Sequence, residues 1–135
     1  DLVYSKCLTL TGNYQKSLDV LGNTEILPYE GEHVGQSIYE HNHLMLACEN
    51  FKSGNNDMAL SHIDQSEAYP ENLGSGKPSF PDYRHQNMLR IKIFDRTGET
   101  GKSQEAQDAI DAYTRKFGEK KGANLYEQQF IARFP

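Results

Sequence analysis

The stretch Ser53-Gly54-Asn55-Asn56-Asp57-Met58-Ala59-Leu60-Ser61-His62-Ile63 decides the fold. A glycine among small polar residues ends the apolar run before it and offers the left-handed conformation that closes a helix. Five positions on stands the small residue Ala59, and four further stands the apolar Ile63. That cadence describes a helix starting just past a tight turn and pressing a narrow stripe against its predecessor. A related cadence surrounds Gly12, with Tyr14, Ser17-Leu18 and Leu21 behind it, and Thr97-Gly98-Glu99 supplies a third such turn.

Helical spacing extends outward from these turns. Ala106, Ala109, Ile110, Tyr113 and Phe117 follow the i, i+3, i+4, i+7 rule, as do Ala123, Tyr126, Phe130 and Phe134. The longest helix is expected over about 34–53, with Ile38, Met45, Cys48 and Phe51 among its apolar positions. No run alternates as a half-buried strand does, and β-branched residues are sparse. Two longer breaks separate the hairpins. One spans Gly22 to Glu32 and holds Pro28 and Gly31; the other spans Tyr69 to Pro81 and holds Pro70, Gly74, Gly76 and Pro78. The expectation is an all-α chain of about seven helices in a single domain over 1–135. Its hairpins fall at about 1–22, 34–68 and 82–117, and a capping helix at about 120–134.

The turn glycines Gly12, Gly54 and Gly98 are spaced 42 and 44 residues apart, within the range of stacked supersecondary units. Glycine, a small residue and an apolar residue at these offsets resemble the tetratricopeptide repeat, and Leu46-Ala47 falls where that family's first helix carries its Leu-Gly pair. The resemblance implies antiparallel hairpins stacked as a short solenoid with a concave groove lined by first helices. The period exceeds the family's 34 residues, which the long loops absorb. Gly101 is an extra residue in the third unit, and Ala106 stands eight positions beyond Gly98, so the third turn is expected to depart from the pattern.

A narrower resemblance covers about 26–98. Leu27-Pro28-Tyr29-Glu30-Gly31, Tyr69-Pro70-Glu71-Asn72-Leu73-Gly74-Ser75-Gly76-Lys77-Pro78 and Pro81-Asp82-Tyr83-Arg84 are similar to the repeat region of large bacterial proteins. Those proteins, common in gut Bacteroidetes, join a mutarotase-like domain of unassigned function to such repeats. This implies a bacterial, carbohydrate-related setting, cytoplasmic or periplasmic, and transfers no catalytic residue.

Composition fits a one-layer helical stack. Hydrophobic residues make up 36% and mean hydropathy is -0.76, lean for a two-sided core but sufficient where each helix buries one stripe. A net charge of -5 without basic runs argues against nucleic acid as a partner. No stretch approaches the roughly 20 apolar residues of a membrane span. The first residue is Asp1 rather than Met, so a processed protein or excised fragment is expected, with any signal region out of view. Cys7 and Cys48 are expected as buried reduced thiols, a disulfide being the alternative.

Chemical motifs are weak. Gly74-Ser75-Gly76-Lys77-Pro78 is not a phosphate loop, because Glu71 stands where the leading glycine belongs and Pro78 replaces the Ser/Thr. His41 and His43, two apart on a helix, point about 200° from each other and cannot share one ion, while His33, His62 and His85 stand alone in sequence. Glu30, Glu32, Glu40, Glu71 and Asp82 border the long loops; they either converge as acid–base groups or simply cap and solvate, Asp82 being placed as an N-cap. No catalytic, cofactor or metal residue is assigned, no cofactor is expected, and the chain is expected not to be an enzyme. Lys77, Arg84, His85, Lys92 and Arg96 form a candidate basic stripe for another protein or a neighbouring domain, the alternative being an ordinary solvated face. A non-catalytic interaction or scaffold module is the first functional expectation. The second is an accessory domain whose loops complete a carbohydrate-processing site supplied elsewhere.

Overall fold

The computed structural model of the chain describes residues 2–27, 33–120 and 124–135. Among them run seven α-helices: α1 (Leu2–Leu10), α2 (Tyr14–Gly22), α3 (Val34–Lys52), α4 (Asn56–Ser66), α5 (Arg84–Thr97), α6 (Thr100–Phe117) and α7 (Leu125–Arg133). A short 3-10 turn covers Glu71–Leu73, and no strand occurs among the described residues. The all-α class agrees with the sequence pattern. Pro28, Glu30, Gly31, Glu32 and Ala123 lie outside the described residues.

Each tight turn reverses the chain. Gly54 has φ 85°, a region costly for residues bearing a Cβ, and the same left-handed turn recurs at Gly12 and Gly98. Asn55 caps α4 by accepting from the Met58 amide at 3.1 Å. Ser5 meets Ser17, His43 meets His62 and Asp95 meets Ser103 across the three turns, so each helix pair is antiparallel. The closest helix packing is within these pairs, followed by α2 on α3 and α4 on α5.

The small residue that permits close approach is buried in every pair: Ser17, Ala59 and Ser103. The third turn therefore does not depart from the pattern. Ser103, five residues past Gly98, takes the place that Ala106 could not, and Gly101 is simply a residue of α6.

The main core joins Tyr14, Leu44, Met45, Ala47, Cys48, Ala59, Ile63, Leu89, Ile93 and Phe130. Burying such side chains stabilises by roughly 1.5–3 kcal/mol each for the larger ones. A polar network crosses the α1–α2–α3 junction: Thr9 Oγ1 donates to Asn42 Oδ1 (2.7 Å), and Asn42 Nδ2 donates to Ser17 Oγ (2.9 Å). Fully buried, these groups hold a single register because a slip would leave them unpaired.

The two long loops are tied together by Asn72. Its Nδ2 donates to Leu21 O and Thr24 O, both at 2.9 Å, and its carbonyl accepts from the Ile26 amide at 2.7 Å. Gly74 follows with φ 74°, and a Cβ there would meet Ile26 O at 2.6 Å, so only glycine fits the crossing. Helix α7 turns back onto the first helices: it packs on α3 and α1, and Phe130 stacks on His85 of α5 with ring centroids 4.2 Å apart.

Candidate functional site

The loop that carries the Pro/Gly-rich string folds over the N-terminal half of α3 and the start of α5. Between them lies a cleft of about 370 Å³ lined by α3 (Gln36, Ser37, Glu40), loop residues (Tyr69, Pro78, Phe80, Pro81, Asp82) and Lys120. Helical spacing puts Gln36 and Glu40 one turn apart on the same face of α3.

The carboxylates here differ sharply. Glu40 is half-buried, and its Oε2 accepts from Gln86 Nε2 at 2.9 Å. Loss of water pushes its carboxyl up to about 7, against the opposing pull of that hydrogen bond and of Lys120. Burial would also raise Asp82, but the Arg84 side chain and backbone amide, with Lys120, bring it down to about 2. Arg84 grips Asp82 at 2.9 Å, and Lys120 Nζ stands 3.3 Å from the same oxygen. Glu67 is paired with Arg90 at 2.7 Å. Glu40 alone of these three has no cation partner among the described residues. Gln36, 7% exposed, gives its Nε2 to Ala68 O at 2.8 Å and leaves Oε1 enclosed with no hydrogen-bond partner among the described residues.

Glu40 and Asp82 thus converge on one cleft. Glu71 starts the 3-10 turn and does not line it; Glu30 and Glu32 lie outside the described residues. Asp82 does act at the helix start, its Oδ1 accepting from the Arg84 amide at 3.1 Å, but Tyr83 holds the cap position.

The five basic-stripe residues do not form one open face. Arg84 is buried at 8% exposure and spends its guanidinium on Asp82, Thr114, Gly118 O and the Tyr113 ring. His85 lies against Phe130, and burial followed by the field of Lys120 brings its imidazole down to about 4, so it is neutral at pH 7. Lys92 is exposed over the Phe134 ring, and Arg96 lies over Phe51 while bonding Asn56. Lys77 is exposed on the loop. The face expected to open to a groove is covered by α7 only at its start, where Phe130 stacks on His85, while Lys92 and Arg96 stay exposed.

A second hollow, about 330 Å³, is lined by Tyr39, His43, His62, Gln65 and Asn72 among others. His43 and His62 sit side by side there, although sequence left His62 alone. No group of three or more His, Cys, Asp or Glu residues able to hold a metal ion occurs among the described residues. Both cysteines are free: Cys48 is buried, its thiol pushed by burial up to about 12, but Cys7 is exposed, contrary to expectation. No described helix is long and apolar enough to cross a membrane.

No family model matches the chain, and comparison with curated proteins and with solved structures likewise gives no match.

Proposed function

We propose that the chain is a non-catalytic binding module of the tetratricopeptide-repeat type, in which the loop-lined cleft beside Glu40 is the ligand seat. The observation that carries this is Gln36: a buried side chain on the cleft wall whose acceptor oxygen is unpaired among the described residues, one turn from a carboxylate with no cation partner among them. Buried polar groups are almost always satisfied, and the orphaned Gln36 oxygen, unlike the orphaned Tyr14 hydroxyl in the core, lies beside a cavity with room for a partner. Support for the repeat arrangement comes from antiparallel pairs packed in chain order, with the small residue at the same offset in all three. In a stack of this kind the first helices line the inner face, and α7 covers part of that face here, at the start of α5, which favours the loop side for partners.

The accessory role in a larger carbohydrate-processing protein has one observation in its favour. Glu40 and Asp82 line a single cleft with proton affinities pushed apart, the arrangement that acid–base pairs require. Incubating the chain with amines, short peptides and oligosaccharides, and recovering the ligands, separates the two. Bound ligand returned chemically unchanged supports the binding module; conversion that Glu40→Gln abolishes supports the second role.

A further inference from the structure

The α3 wall of the cleft carries three acceptors, Glu40, Ser37 and, just behind the surface, the enclosed Gln36 Oε1, none of them paired with a cation among the described residues. Asp82 is matched by Arg84 and Lys120, and Glu67 by Arg90. Among the described residues, Glu40 receives only a neutral amide hydrogen from Gln86, and Gln36 Oε1 receives nothing. Ser37 lies between them in sequence and also lines the cleft. The rest of the lining includes the apolar strip Pro78, Phe80 and Pro81, with His33, Tyr69 and Lys120, the last already held by Asp82 at 3.3 Å. Phe80 already receives one ammonium, with Lys116 Nζ 3.8 Å from its ring centroid. A half-buried carboxylate without a counter-charge is costly, and a ligand that brings the charge relieves that cost.

We infer that this cleft seats a protonated primary amine on a short alkyl stem, of the lysine side-chain kind, with Glu40, Gln36 and Ser37 taking the ammonium and Pro78, Phe80 and Pro81 the stem. An ammonium offers three N–H donors and no acceptor, which suits a wall that offers acceptors. A neutral polyol would bring no charge to set against Glu40. The inference rests on the reading of the chain as a binding module and names its ligand class.

Proton linkage gives the signature. With the Glu40 carboxyl at about 7, its ionised fraction rises about tenfold between pH 6 and pH 8, while an alkylamine stays protonated throughout. The other groups facing Glu40 are His33 and His41 of α3 and its N-terminal edge, Tyr69 and Tyr83, both raised by burial, Asp82 and His85 at the start of α5, Lys120, and Glu67 beyond α4. His85 is held near 4 and Asp82 near 2, so neither changes charge in that window. His33→Gln controls for the remaining cleft imidazole and should keep the slope.

The test is a titration followed in amide 1H–15N spectra, with n-butylammonium chloride, a capped lysine peptide, 1-butanol and glucose, at pH 6 and pH 8. Butylammonium should shift the amides of residues 36–40 and of Ser79, Phe80 and Asp82, bind about tenfold more tightly at pH 8 than at pH 6, and lose both affinity and slope in Glu40→Gln. Gln36→Leu, checked for an unchanged melting curve, should weaken it several-fold. The capped peptide binding at least as well marks a protein lysine as the source; binding only of the free amine marks a small molecule. Equal binding of 1-butanol, a flat pH response, or no shift at the cleft overturns the amine. Glucose binding there alone overturns the amine and leaves the binding module standing.

Discussion

His43 Nδ1 and His62 Nδ1 stand 2.9 Å apart, one ring donating and the other accepting across the α3–α4 contact. Both cannot be protonated, since two N–H groups would then point at each other. Burial, and for His43 the field of His62, lower both imidazoles, His43 to about 4. A depressed imidazole keeps its full contribution above the unfolded value near 6.5 and loses it as pH falls towards 4, because the unfolded chain then binds more protons. His43→Gln should lessen the acid loss of stability, on the order of 2 kcal/mol for this group, in denaturant melts between pH 7 and pH 4. An unaltered profile would mean that the pair does not exist.

Glu40 runs the other way. Its folded carboxyl, at about 7, binds a proton where the unfolded one does not, so its penalty is absent below about 4.5 and grows as pH rises to 7. Glu40→Gln keeps an acceptor for Gln86 and removes the charge. It should stabilise the chain by on the order of 1–3 kcal/mol at pH 8 and by nothing near pH 4. Destabilisation at pH 8 would show that Glu40 has a cation partner.

Ala59 and Ser103 set how closely their helices meet. Ala59→Leu should cost roughly 1–3 kcal/mol by overpacking, and Ser103→Leu a similar amount plus the 2.5 Å bond to Asp95. Gly54→Val finds open space around the added Cβ, so its cost of about 1–2 kcal/mol is conformational alone. Equal melting temperatures for all three would displace the repeat register.

Thiol titration separates the cysteines. Cys7 should react at once in the native chain and Cys48 only on unfolding, since a thiol raised to about 12 and sealed in the core is neither ionised nor reachable. Two fast thiols would contradict the burial of α3.

Much of this was legible in sequence because helix pairs are local. Gly54, Ala59 and Ile63 announce their hairpin within a dozen residues, and so do Gly12 and Ser17. In the third pair the small residue is Ser103, which its hydroxyl hides among the polar residues beside Ala106. What sequence did not disclose depends on distant packing. The meeting of Glu40 with Gln86 and Asp82 requires two loops to cross at Asn72 and Gly74. The neutralisation of His85 requires Phe130 to arrive from the far end of the chain. Arg84 looked like a free cation because nothing local shows that Thr114 and Gly118 enclose it.

The central claim, a ligand seat in the loop cleft with the inner face covered by α7 at the start of α5, meets its most direct test in a saturation-transfer screen. Amines, polyols and short peptides would be tried against wild type, Ser37→Trp, which fills the cleft, and Lys92→Glu with Arg96→Glu. The double variant forfeits its cation–aromatic contacts, about 0.5–1 kcal/mol each at exposed sites, but leaves the cleft intact. At least one ligand class should show transfer that persists in the double variant and disappears in Ser37→Trp. Transfer that survives in Ser37→Trp and vanishes in the double variant would place the seat on the α5 face and contradict the account.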